Sequence, residues 1–228
     1  NLSHNKNKIT KLSNDLYSTS RIYTGDPWIR GASGVTSHVI EEGRPVGQFF
    51  MLKCDGIDEN GKYIIEDING DGQITDDDRT YVGDAQPDLT YGWNNTFNWK
   101  NWDASFFFRG TIGNKVLDNP RAAYANNTYL SGANAMNDEL TYKLRENSRV
   151  CSYYVENGSF ARLDNMSIGY TFNTKKIDWL DKARIYVAAQ NLFVITGYKG
   201  LDGLSPGIEP RDYMPKSRSF TFGVNLTF

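Results

Sequence analysis

Apolar and polar residues alternate along several long stretches of this chain. In residues 88–99 (DLTYGWNNTFNW) the odd positions are Leu89, Tyr91, Trp93, Asn95, Phe97 and Trp99. The even positions are Asp88, Thr90, Gly92, Asn94, Thr96 and Asn98. Successive side chains of a strand point to opposite faces, so one face is aromatic with a single exception and the other is small or polar. Residues 101–113 repeat the pattern. Trp102, Ala104, Phe106, Phe108 and Ile112 oppose Asp103, Ser105, Arg109 and Thr111, with Phe107 out of step. Lys100 and Asn101 lie between the two runs as a tight polar turn, which predicts a hairpin. In 159–173, Met166, Ile168, Tyr170 and Phe172 oppose Ser167, Gly169 and Thr171. In 182–195, Ala183, Ile185, Val187, Ala189, Phe193 and Ile195 oppose Arg184, Tyr186, Ala188 and Gln190. Asn191 interrupts that row, so a bulge or a register change is expected there. In 217–228, Phe220, Phe222, Val224, Leu226 and Phe228 oppose Ser219, Thr221, Gly223, Asn225 and Thr227. Residues 1–9 read as the end of a sixth strand.

Alternation alone suits both a soluble β-sandwich and a membrane barrel. Three features favour the barrel. The runs are about a dozen residues long, against ~5–6 for soluble strands and ~9–11 for transmembrane ones. Their polar faces are mostly Gly, Ser, Thr and Asn, as a water-filled lumen requires. Long connections (10–87, 113–158, 196–216) alternate with short ones (100–101, 173–181), the asymmetry of outer-membrane barrels. Trp99, Trp102, Phe172, Trp179 and Phe228 all fall at the short-turn ends, where an interfacial aromatic girdle belongs. Six strands leave two open edges, which lipid does not tolerate, and single-chain barrels have at least ~8 strands. The expected fold is therefore all-β, an antiparallel transmembrane β-barrel segment of about six strands, completed by strands outside 1–228.

Composition narrows the chemistry. The 228 residues carry 25 basic and 27 acidic side chains, a formal charge of -2, which removes the electrostatic case for nucleic-acid binding. Mean hydropathy is -0.56 and no apolar run is long enough for a transmembrane helix, but neither fact bears on a barrel of alternating strands. No secretory leader is visible at Asn1. The two histidines, His4 and His38, are isolated, and no G-x-S-x-G, Walker A or H-E-x-x-H motif occurs. Nothing singles out an acidic pair for a glycan-cleaving enzyme, so no enzymatic activity is expected. Arg109 and Arg184 fall on polar faces, where they could line a solute path or simply pair with carboxylates such as Asp103.

One motif carries its own chemistry. Residues 67–78 read DINGDGQITDDD. Asp67, Asn69 and Asp71 occupy positions 1, 3 and 5 of an EF-hand-type loop, with Gly72 at the sharp turn. Gln73 offers its backbone carbonyl, Thr75 stands at position 9, and Asp78 closes the loop where a Glu is usual. Such spacing wraps hard oxygen donors around one point and predicts Ca²⁺. Asn-Gly and Asp-Gly are also plain turn formers, so a solvated polar turn is the alternative. Tyr63, Ile64 and Ile65 look extended, so any ion would rigidify the 10–87 connection rather than act as a paired sensor. Cys54 and Cys151 fit no zinc pattern, and both a disulfide and two free thiols stay open. A soluble, calcium-stabilised β-domain for surface adhesion or carbohydrate binding is the competing functional reading.

Several segments resemble the SusC/RagA family of TonB-dependent outer-membrane transporters. The run from EDINGDGQITDDDRTYVGDAQPDLTYGW to FFFRGTIGNKV is similar to that family's late-barrel region. NGSFARLDNMSIGYTF, RIYVAAQNLFVITGYKGLD and FTFGVNLTF resemble its closing strands, in the family's order, and NKNKITKL near the start also fits. GLDGLSPGIEP departs from the acidic Asp-Pro-Glu that members often carry after Tyr-x-Gly. The resemblance implies a barrel of about 22 strands of which 1–228 supplies the last six, with an N-terminal plug and TonB-contacting part lying elsewhere. It implies an outer-membrane importer of oligosaccharides, or in some members peptides, capped by a SusD-like surface lipoprotein. With Phe228 at the periplasmic side, 10–87, 113–158 and 196–216 become extracellular loops facing the lid and the substrate.

Overall fold

A computed structural model of the chain describes residues 1–132, 134–200, 207–212 and 214–228. Its main element is one six-stranded sheet. The strands are β1 (Leu2–Ser3), β2 (Leu89–Trp99), β3 (Trp102–Ile112), β4 (Phe160–Phe172), β5 (Lys182–Thr196) and β6 (Ser219–Thr227). They lie side by side in sequence order, and every neighbouring pair is antiparallel. β2 to β5 are 11, 11, 13 and 15 residues long, and at ~3.3 Å per residue each is about 35 Å or longer. That length spans a bilayer core with tilt to spare.

The register sorts the side chains into rows. Phe97, Ala104, Ile168, Val187 and Phe222 stand opposite one another across five strands and form an apolar row. One residue along, Asn98, Asp103, Gly169, Tyr186 and Gly223 form a row on the other face. The period-two reading thus holds across the sheet. Lys100 takes φ 53 in the turn that closes β2 onto β3, with Trp99 opposite Trp102. The interruption at Asn191 is real. Asn191 has φ 51, and the register shifts between Leu163 and Asn165. The shift returns Phe193 and Ile195 to the apolar face, where they meet Leu163 and Ala161.

Two expectations need correction. The first strand does not run over 1–9, because only Leu2 and Ser3 pair with β2. Ile9 turns away and exchanges backbone hydrogen bonds with Gly43 and Arg44. The long connections are also not plain loops. Within 10–87, strands Arg21–Thr24, His38–Glu41, Gln48–Leu52 and Arg79–Asp84 make a four-stranded sheet, and Cys54–Ile57 pairs with Tyr63–Ile65. Within 113–158 lie helices Asn119–Tyr124 and Glu139–Lys143. Strand Lys115–Leu117 joins Val155–Asn157 and Gly207–Ile208, tying in the third connection. Of the divergent GLDGLSPGIEP segment, residues 201–206 lie outside the described ones.

The hydrophobic core sits in these connections. Ile29, Phe49, Met51, Tyr63, Leu117, Leu140, Leu144, Val150 and Tyr154 pack into one buried cluster drawn from 10–87 and 113–158. The apolar face of the sheet stays open: Trp93 is 60% exposed and Phe222 is 78% exposed. This inverts the usual arrangement of a water-soluble β-domain, in which a contiguous aromatic face is covered. Among the described residues no helix is long and apolar enough to cross a membrane.

Candidate functional site

The sheet is a wall with two surfaces. On the apolar surface Trp93 lies edge-on to Phe106 and stacked on Phe108, and Phe97 stacks on Phe106. A furrow of about 610 Å³ on this wall is lined mainly by Met166, Ile168, Ile185, Val187, Phe220, Phe222 and Val224, a lining that suits acyl chains. At the short-turn end Trp99, Trp102, Phe172, Trp179 and Phe228 are all exposed, and Trp179 stacks on Phe228. Exposed aromatic rings at the short-turn ends of the strands, three of them amphipathic Trp, are the arrangement of a membrane–water boundary.

The polar surface is organised by ion pairs. Arg184 Nε donates to Asp103 Oδ1 at 2.8 Å and its Nη2 donates to Oδ2 at 2.5 Å. Arg109, which the sequence also offered to Asp103, instead pairs with Asp164 at the bulge. Glycines make room for these large groups. A Cβ on Gly169 would collide with the Arg184 guanidinium, and one on Gly223 would collide with the Tyr186 ring. The wall facing the polar side is thus a flat lattice of Arg, Tyr and Asp laid over glycine.

Above the long-connection end, the loops form a folded tier. Tyr63 Oη and Tyr154 Oη meet at 2.5 Å, and the Tyr63 N–H donates to Glu146 Oε1 at 2.7 Å. Burial pushes the Tyr63 phenol well above its ordinary range. The Asp118 carboxylate caps helix Asn119–Tyr124 by accepting from the Arg121 N–H at 2.9 Å. Burial, together with the nearby Glu209 and Glu156 charges, raises the Asp118 carboxyl to about 6. Glu209 is fully buried and accepts from the Tyr198 hydroxyl, so this part of the divergent segment is an internal anchor.

The 67–78 loop folds as the sequence requires, with its oxygens turned onto backbone amides. Asp67 accepts from the Gly70 and Gly72 N–H groups at 2.7 and 2.8 Å. Asn69 Oδ1 accepts from Asp71, and Asp71 Oδ1 accepts from Gln73. Asp78 is fully buried and accepts from Ile68, Asn69 and Thr75. Led by the Thr75 amide, these donors hold its carboxyl below the usual range. Thr75 Oγ1 caps the short turn Asp76–Asp78, which occupies it as a structural acceptor. Among the described residues no three acidic, His or Cys side chains converge into a ready cation cage. The loop brings Asp67, Asn69, Asp71 and Asp78 around one turn, and each carboxylate keeps lone pairs beyond those its amides use.

A second loop feature escaped the sequence. Trp28 adopts φ 54, a left-handed conformation rare for a bulky residue, yet its side chain is 67% exposed. The Asp26 carboxylate fixes it by accepting from the Trp28 and Gly34 N–H groups at 2.8 and 3.0 Å. Arg211 donates to the Trp28 carbonyl at 3.0 Å, and the Tyr129 hydroxyl donates to the Arg30 carbonyl at 2.6 Å. All three long connections therefore hold this one turn. Beside it Arg30, Tyr124, Asn126, Tyr129, Asn134 and Arg211 line a cavity of about 140 Å³. Ser37 Oγ and His38 Nδ1 lie 2.8 Å apart, a pairing reminiscent of a nucleophile and its base. The Ser37 hydroxyl, however, is spent on the Gly25 carbonyl, and burial lowers His38 to about 4.

An exposed apolar band, a polar ion-paired opposite face and a tier of folded loops at one end define a transmembrane β-barrel wall. Comparison with known proteins gives this wall a family. No protein-family model matches the chain. TonB-dependent receptor SusC of Bacteroides thetaiotaomicron is 30% identical over 246 residues, covering all of this chain and 24% of the receptor. TonB-dependent receptor P3 of Formosa agariphila is 28% identical over 272 residues, covering all of this chain and 26% of the receptor. A solved structure of the RagAB peptide transporter aligns over the whole chain with a TM-score of 0.76 at 23% identity. The RagAB peptide importer in its closed-closed state gives 0.78 at 24%. The chain belongs to the SusC/RagA-type TonB-dependent receptors, as a C-terminal portion of the barrel, and spans about a quarter of the length of the curated relatives it matches. These relatives are receptors rather than enzymes.

Proposed function

We propose that this chain is the closing arc of an outer-membrane importer that draws nutrient oligomers, glycans or peptides, through its lumen with energy delivered by TonB. The apolar row from Phe97 to Phe222 meets lipid, and the row from Asn98 to Gly223 borders the water-filled path. The loop tier lies outside the cell, where a SusD-like surface lipoprotein seats on it and the Trp28 turn meets cargo. The observation that carries this reading is the exposed aromatic face of a sheet whose strands are long enough to span a bilayer. A soluble adhesion domain would cover that face.

The test uses the full-length receptor reconstituted in vesicles, with Trp93 as the only tryptophan. Brominated acyl chains should quench its fluorescence. A receptor that stays monodisperse in water without detergent and shows no quenching would refute the assignment.

The 67–78 loop supports a second, smaller proposal, that it takes one Ca²⁺ through Asp67, Asn69, Asp71 and Asp78 with the Gln73 carbonyl. The fully buried Asp78 at the closing position favours it. The ion would stiffen the 10–87 connection and play no part in transport chemistry.

A further inference from the structure

The 228 residues include two cysteines. Cys54 opens the strand Cys54–Ile57 in the first long connection, and Cys151 precedes the turn Ser152–Tyr154 in the second. Both are buried in the same apolar cluster. The backbone brings them together: Leu52 and Cys151 form a parallel bridge. The Cys54 N–H donates to Ser152 Oγ at 2.8 Å, and the Ser152 hydroxyl donates back to the Cys54 carbonyl at 3.3 Å. Cys54 Sγ donates to the Gly56 carbonyl at 3.2 Å, and the two thiols perturb each other electrostatically as close neighbours do.

Packing alone does not account for this meeting. A buried free cysteine behaves as a small hydrophobe, and any small residue would fill either position. Two cysteines in a long chain, one from each of two connections that meet nowhere near each other in sequence, have the placement of a cross-link. We infer that Cys54 and Cys151 are joined by a disulfide that welds the first long connection to the second. The inference rests on the proposed extracellular position of both connections, where disulfides form and persist.

The chemistry is a thiol–disulfide exchange with a protein disulfide of the cell envelope as oxidant. Cys54 loses its proton and attacks one sulfur of the donor disulfide, forming a mixed disulfide and releasing one donor thiolate. Cys151 then loses its proton and attacks Cys54 Sγ, which expels the second donor thiolate. Two electrons and two protons pass to the donor, which leaves as a dithiol. The pair is asymmetric in the right direction. The bond from Cys151 holds the Cys54 thiol below its ordinary range, while that same bond and burial push Cys151 well above it. Cys54 keeps 9% exposure where Cys151 is fully buried, so Cys54 is the side the donor disulfide reaches first.

The test takes the full-length receptor from cells whose free thiols are blocked with N-ethylmaleimide before lysis. The outer-membrane fraction is digested with trypsin without reductant and read by mass spectrometry. The expected product joins the peptide 54–62 to the peptide 150–162 and is lighter by two hydrogens than the separate pair. Reduction should split it. Both peptides recovered singly with maleimide attached, or either one bonded to a different cysteine, would overturn the inference. Recovery of the receptor in the outer-membrane fraction reports separately on the membrane reading, so the two can fail independently.

Discussion

Arg184 holds Asp103 through two hydrogen bonds, at 2.8 and 2.5 Å, across an intervening strand. The strand between them contributes Gly169, which stands opposite both Asp103 and Tyr186 in register. The clamp is possible because Gly169 offers no side chain beneath the guanidinium. Both partners are partly exposed, so solvent screens the pair. A double-mutant cycle on Arg184→Ala and Asp103→Ala in the refolded full-length barrel should give a coupling of about 1 kcal/mol by urea titration. Gly169→Val should cost more than either single change, because it displaces the guanidinium and leaves Asp103 unpaired. Equal stabilities for Gly169→Val and wild type would show that the clamp is not seated on this glycine.

The two faces of the sheet should respond in opposite ways to the same charge. Phe222 lies on the apolar face opposite Val187, and Thr221 beside it lies on the polar face opposite Ala188. Phe222→Lys should destabilise insertion into vesicles by about 2–4 kcal/mol if the position lies near mid-membrane, whereas Thr221→Lys should be nearly neutral. Fraction inserted against urea concentration measures both. Similar costs for the two would remove the distinction between a lipid side and a lumen side.

Asp118 makes the loop tier sensitive to mild acid in an unusual sense. Its carboxyl is raised from 3.8 to about 6, so the folded state favours the protonated form. The stability this contributes is complete below the unfolded value near 4 and is lost as pH rises through 6. A rise of that size is worth roughly 3 kcal/mol. Asp118→Asn keeps an oxygen to cap the helix and removes the titration. Hydrogen exchange of helix Asn119–Tyr124 should become slower at pH 4 than at pH 7 in the wild type, after correction for the intrinsic rate. The Asn variant should show no such difference.

Asp78 works in the other direction. Its carboxyl is held below the usual range by the Thr75, Asn69 and Ile68 amides, so its contribution is present above pH 4 and is lost only as pH falls through its lowered value. Calorimetric titration of the full-length receptor with Ca²⁺ should show uptake that Asp67→Ala and Asp71→Ala abolish. Unchanged uptake in both variants would reduce the loop to a polar turn.

Trp28→Gly separates fold from recognition. Glycine adopts φ 54 without strain, so the turn should form as well as or better than in the wild type. The exposed ring is lost, and with it about fivefold in oligomer affinity for about 1 kcal/mol of aromatic stacking. Binding measured by calorimetry with a panel of neutral oligosaccharides and short peptides tests this. Undiminished affinity for every ligand that the wild type binds would place cargo recognition elsewhere.

How much of the molecule is legible in its sequence follows from the range of the forces involved. β2 to β6 can be read because a strand exposed to lipid on one side and water on the other prints both environments into alternate residues, as Phe220 to Phe228 do. The bulge at Asn191 is visible for the same reason. β1 is overestimated because pairing beyond Ser3 depends on neighbours rather than on local pattern. The loop tier is legible only at the extended Tyr63–Ile65 and the 67–78 turn. Its strands are two to six residues long and are held by contacts such as Leu52 with Cys151 that have no periodic signature. Trp28 carries only a weak signal, an Asp two residues earlier whose carboxylate locks the turn. Strand geometry decides between Arg109 and Arg184 as the partner of Asp103, since Arg109 stands six positions along the same strand, ~20 Å away at ~3.3 Å per residue, and only Arg184 reaches it.

The tier of connections has a packed interior of its own, built from residues such as Phe49, Leu140 and Tyr154, that owes nothing to acyl chains. Damage to that interior should therefore leave an assembled pore with a collapsed entrance. Under the proposed import function, cells carrying such a lesion would display the receptor in the outer membrane yet fail to take up its cargo.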